Sequence, residues 1–192
     1  MQKLILGRYT RQGLWSLFLM CALPLHAWTL ILAFRDLSWL TDRTNAWDAV
    51  GVLCYGLVFA FIESAIVFLV TALLGLLSPR RWPPERRVGV LSILVLVLSL
   101  WAMVGQLFFL ADFRMPGEII AFLVRSQHPL RVIYAVLPAV VGATFLVPVV
   151  LVARSDRGTR IMSGIMDRLG LLSTFYLVFD AAAFVIVVIR NL

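Results

Sequence analysis

The chain has 192 residues, of which 62% are hydrophobic and only 14% charged, against roughly one quarter charged in soluble chains. That balance excludes a water-soluble domain. The net charge of +7 does not point to nucleic acid, because the Lys and Arg residues sit in short segments between long apolar blocks.

In chain order, apolar blocks at 14–34, 49–77, 88–110, 132–152 and 169–189 are each long enough to cross a hydrocarbon core of about 30 Å at about 1.5 Å per residue. They are continuously apolar rather than alternating, which predicts helices and not barrel strands. The expected fold is therefore an all-α polytopic transmembrane bundle of five spans, forming a single domain over 1–192. Lys3, Arg8 and Arg11 ahead of the first block resemble the start of a secretory signal. That block runs on to Phe34, too long for a signal core, so it is expected to be retained as a span.

The first span carries His26 near its midpoint, two residues after Pro24. The second carries Glu63 at its middle, within FAFIESAIVFL. An acidic side chain there costs at least about 2.5 kcal/mol on insertion scales, so Glu63 is the strongest functional clue in the sequence. Gly56 and Ala60 lie on its helical face, and such small residues let another helix approach, so Glu63 is expected to point into the bundle. The segment after this span, SPRRWPPERR, supplies Arg80, Arg81, Arg86 and Arg87 as candidate contacts for anionic lipid headgroups.

The third span repeats Ser92, Ser99 and Gln106 at intervals of seven, a seam able to hydrogen-bond across helices. Pro116 opens a stretch, apolar from Ile119 to Val124, that is predicted as an interfacial helix at 116–126. The fourth span offers a small-residue seam of Ala135, Ala139 and Ala143, with Pro138 and Pro148 as expected kinks. A second interfacial helix is predicted at 159–168, with Ile161, Met162, Ile165 and Met166 on its apolar stripe. In the fifth span Asp180 shares a face with Tyr176 and Ser173.

His26, Glu63, Asp180, Tyr176 and Ser173 make up the candidate intramembrane polar site. If their helices are neighbours they form one buried cluster, with His26 paired to a carboxylate or with one carboxylate held protonated by desolvation. Cys21 and Cys54 have no metal-ligand spacing and read as small apolar residues. No hydrolase, zinc-protease or nucleotide-binding motif is present, and two histidines cannot build a multi-histidine centre, so neither enzymatic activity nor a cofactor or metal is expected.

Counting basic residues on alternate sides gives eleven against six, the larger set beginning with Lys3 and the smaller including Arg114. That split predicts the N-terminus inside, the C-terminus outside, and a multi-pass protein of the plasma membrane with anionic lipids on its cytoplasmic side. The favoured reading is a non-enzymatic subunit or scaffold that packs against lipid, another membrane protein or further copies of itself. The alternative is a proton- or cation-coupled small transporter using Glu63 and Asp180.

Overall fold

The computed structural model describes residues 8–111 and 115–192, so Lys3 and Arg114 of the charge count lie outside it. Seven α-helices are described: α1 (Arg11–Arg35), α2 (Leu37–Thr41), α3 (Ala46–Leu74), α4 (Pro84–Leu110), α5 (Gly117–Arg125), α6 (Pro129–Arg154) and α7 (Asp156–Asn191). Among the described residues there is no strand. Five helices are long and apolar enough to cross a membrane: α1, α3 with the 3-10 turn Gly75–Leu77, α4, α6 and α7. The chain is a multi-pass, all-α membrane bundle.

Local signals set the helix ends. Thr10, Asn45 and Ser155 each accept a hydrogen bond from the backbone N–H three residues on, capping α1, α3 and α7. Proline stands in the first turn of α4 and α6, where its missing N–H costs nothing. Between α5 and α6 the chain reverses through Gln127, whose φ of 56° lies in the left-handed region.

The core lies where α1, α3, α4 and α7 meet, around Leu17, Met20, Val88, Leu91 and Met166. α1 is central, touching α3, α4 and α7. α6 stands apart. It contacts α4 and α7, but Val152 near its C-terminus is its one buried residue. Its predicted seam does not pack within the chain, since Ala135, Ala139 and Ala143 are all exposed. A side chain added at Gly142 of α6 or Gly105 of α4 would meet nothing within 4 Å. The two helices are linked farther along by Trp101, whose indole N–H donates to Thr144 Oγ1 at 2.9 Å.

The predicted helix at 116–126 forms as α5 with no buried residue, Leu123 alone being half-buried. The one predicted at 159–168 is not a separate element. It is the first part of α7, a continuous helix of 36 residues. No proline interrupts Arg168 to Gly170, and Gly170 is buried against Leu19, so the helix runs on into the span. Met162 and Met166 are accordingly buried in the bundle core while Ile161 and Ile165 stay exposed.

Two polar latches hold the ends. At the end carrying Arg8, here the amino-terminal face, Arg87 is 2% exposed. Its guanidinium donates to Ser78 Oγ at 2.6 Å, to the Pro79 and Trp82 carbonyls at 3.2 and 3.3 Å, and to the Arg8 carbonyl. Arg8 in turn donates to the carbonyls of Leu76 at 2.6 Å and Ser78 at 3.1 Å, and Tyr9 Oη donates to the Ala72 carbonyl at 2.9 Å. Of these acceptors, the Ala72 and Leu76 carbonyls belong to the end of α3 and its 3-10 turn, where a helix C-terminus leaves carbonyls without partners. Gly75 is required here, because a Cβ would overlap the Tyr9 hydroxyl. Burial raises the Tyr9 pKa above its ordinary value, against the opposing pull of Arg87 and Arg8.

At the opposite face Arg190 pairs with Asp48 at 2.8 Å, donates to the Trp47 carbonyl at 2.5 Å and stacks over the Trp47 ring. A Cβ at Gly51 would come within 2.5 Å of that guanidinium. The end of α7 is thereby fastened to the start of α3.

Candidate functional site

α1 and α7 bring His26 and Asp180 together in the middle of the bundle. His26 Nε2 lies 2.8 and 3.0 Å from the two carboxyl oxygens of Asp180, and the residues are 0% and 6% exposed. Nδ1 of His26 is 2.8 Å from the Ala22 carbonyl. A carbonyl only accepts, so Nδ1 carries a proton. The contact between Nε2 and Asp180 then requires one further proton, on either partner. The pair is an imidazolium with a carboxylate or a neutral imidazole with a carboxylic acid, and both arrangements carry zero net charge. Neutrality suits a site removed from water, where an uncompensated charge is strongly disfavoured.

Tyr176, one turn before Asp180 on α7, lies parallel to the imidazole at 7° with ring centroids 5.7 Å apart. Ser173 is buried a further turn back, but its hydroxyl donates to its own helix at Leu169, 3.0 Å away. His26, Asp180 and Tyr176 thus form one cluster, and Ser173 lies beside it without joining it.

Glu63 does not belong to this cluster. It is exposed on the outer surface of α3, among Phe59 (63% exposed), Ile62 (48%) and Ile66 (57%). The expectation that it points inward is corrected. The buried stripe of α3 runs Cys54, Leu57, Ala60, Ser64 and Thr71, and Glu63 is turned about 100° from Ser64. Ala60 does pack inside, but it sits on the edge of Glu63's face rather than at its centre. Gly56, the other small residue, faces Thr29 of α1. Ser64 is the residue that occupies the inward slot at this level, its hydroxyl donating to Ala60 O at 2.6 Å.

Compared with known proteins, the chain matches no family model, no curated protein and no solved structure.

The four arginines expected at headgroups divide. Arg80 and Arg81 are exposed. Arg86 bonds Asp156 at 2.5 Å, joining the start of α4 to the start of α7. Arg87 is not a headgroup contact, because it is the buried staple described above. Sequence patterning puts all four in one basic loop, but Pro83 and Pro84 open α4 so that only Arg87 turns toward the axis. In the Ser92, Ser99 and Gln106 seam, Ser92 is buried with its hydroxyl unpartnered, Ser99 is half-buried and Gln106 is exposed, so the seam runs from core to surface. Among the described residues no group of three or more His, Cys, Asp or Glu is placed to hold a metal ion.

Two features lie beyond sequence patterning. The inward turn of Arg87 depends on a loop conformation, and the Asp48–Arg190 pair joins residues 142 apart. The charge of Arg190 in the last turn of α7 was the only advance signal for the second.

Proposed function

We propose that the protein is a non-enzymatic membrane subunit, resident in the plasma membrane with its N-terminus inside, whose outer surface is completed by another protein chain at Glu63. The observation that carries this reading is the exposed position of that carboxylate at mid-span. Facing acyl chains it would cost at least about 2.5 kcal/mol, and a basic or hydrogen-bond-donating group on a neighbouring helix would offset that cost. The unpacked outer half of α6, with its small residues on the surface, supports the same reading. Arg80 and Arg81 are suited to anionic headgroups on the inner leaflet.

The test is extraction in mild detergent followed by mass measurement of the intact assembly. Wild-type protein is expected to carry a second chain, a copy of itself or a different protein. Glu63→Leu is expected to release it while the melting temperature of the lone chain holds or rises, because no contact inside the bundle is lost. A wild-type chain that is stable and alone would overturn the reading.

A second reading, a proton- or cation-coupled carrier, draws support from the single shared proton of His26 and Asp180 and gives Glu63 no part. It requires pH-linked flux in vesicles that Asp180→Asn abolishes, and wild-type flux at background would remove it.

A further inference from the structure

A lateral groove opens between α3 and α7 with α1 as its floor. Its larger part, 740 Å³, is bounded by Arg11, Trp15, Phe18, Phe61, Phe68 and Leu177. It adjoins a 260 Å³ cavity that shares Phe61 and Leu177 and reaches Asp180. The floor is fixed by aromatic contacts, with Phe18 edge-on to Phe61 at 6.2 Å and to Phe68 at 5.7 Å. The walls are apolar throughout, and the two polar features stand at opposite ends.

Arg11 marks the end at the amino-terminal face. It is exposed and, among the described residues, has no carboxylate partner. It also stands in the first turn of α1, where a cation opposes the helix dipole and no acid compensates. An anion bound there would meet both the guanidinium and the positive end of the helix. From Arg11 to the level of His26 is fifteen residues, about 22 Å of helix. That is half the thickness of a bilayer measured with its headgroups, about 20–22 Å. The groove therefore has the length of one leaflet, a positive charge at headgroup depth and aromatic walls at acyl depth.

We propose that this groove seats one anionic phospholipid, its phosphate at Arg11 and one acyl chain running past Phe18 and Leu177 to end beside Asp180. The site lies on a different side of α3 from Glu63, and its occupancy does not depend on what covers Glu63.

The full-length protein in neutral detergent, titrated with phosphatidylglycerol, phosphatidylcholine or glycerol phosphate, tests this by native mass spectrometry. Wild type is expected to retain one phosphatidylglycerol, to bind phosphatidylcholine about fivefold more weakly, the effect of one interfacial arginine, and to hold no glycerol phosphate. Arg11→Gln should bring the two lipids to equal affinity. Leu177→Trp, which fills the groove where its two parts meet, should remove both adducts, and Phe68→Trp is the second filling variant should Leu177→Trp not fold. Equal affinity for both lipids in wild type, a preference that survives Arg11→Gln, adducts that survive filling, or binding of glycerol phosphate alone would each overturn the proposal.

Discussion

At the scale of single residues the centre of the bundle is governed by a proton count. With Nδ1 of His26 committed to Ala22, the contact with Asp180 holds one proton whichever partner carries it. An asparagine at position 180 can donate its amide N–H to Nε2 of a neutral imidazole and preserve both hydrogen bonds. Asp180→Asn is therefore expected to cost less than about 1 kcal/mol of stability, whereas His26→Ala, which strands a buried carboxylate, should cost about 3–5 kcal/mol. Thermal unfolding in detergent measures both, and equal losses would contradict the shared-proton pair. Part of this pair was legible in the sequence. Midplane depth follows from counting along each span, and the spacing of Ser173, Tyr176 and Asp180 gives their common face. The inward placement expected for Glu63 fails because flanking small residues indicate a packing face only to within about one residue, and one residue on a helix is about 100°. The patterning of apolar residues gave no correction, since a span facing lipid is as apolar as one facing its neighbours.

At the scale of elements, the amino-terminal latch ties residues 8 and 9 to the end of α3 and to the start of α4 through Arg87. Arg87→Ala is expected to destabilise by about 3 kcal/mol or more, because several carbonyls and a hydroxyl lose their donor at once, and Arg87→Lys should recover only part, lacking the planar fork. If the alanine variant melts like wild type, the staple has no structural weight. Tyr9 adds a pH test. Its folded pKa is raised, so the stability its protonated hydroxyl contributes is complete below about pH 10 and is lost as pH climbs through the higher folded value. Tyr9→Phe should cost about 1 kcal/mol at neutral pH, with the difference from wild type constant from pH 7 to 9 and shrinking above about pH 10. A difference that shrinks near neutrality would contradict this assignment. The element boundaries show where sequence reading holds. Charge and proline bracket the five spans well. The fusion of the expected 159–168 helix into α7 was hidden because amphipathic patterning marks a face, and only tertiary contact decides whether lipid surface or protein core covers it.

At the scale of the molecule, α1, α3, α4 and α7 form the core, latched at both ends, while the groove between α3 and α7, the surface of α6 and the outer face of α3 remain open. The polar groups divide in the same way: a neutral pair enclosed at the centre, and one carboxylate turned outward. We propose that protein, not acyl chain, covers that outward face. A photo-crosslinking residue placed at Ile66, one turn from Glu63, and activated in native membranes tests it most directly. Adducts the mass of a second polypeptide are expected, and they should disappear when Glu63→Leu is added. Lipid adducts alone, unchanged by that substitution, would contradict it.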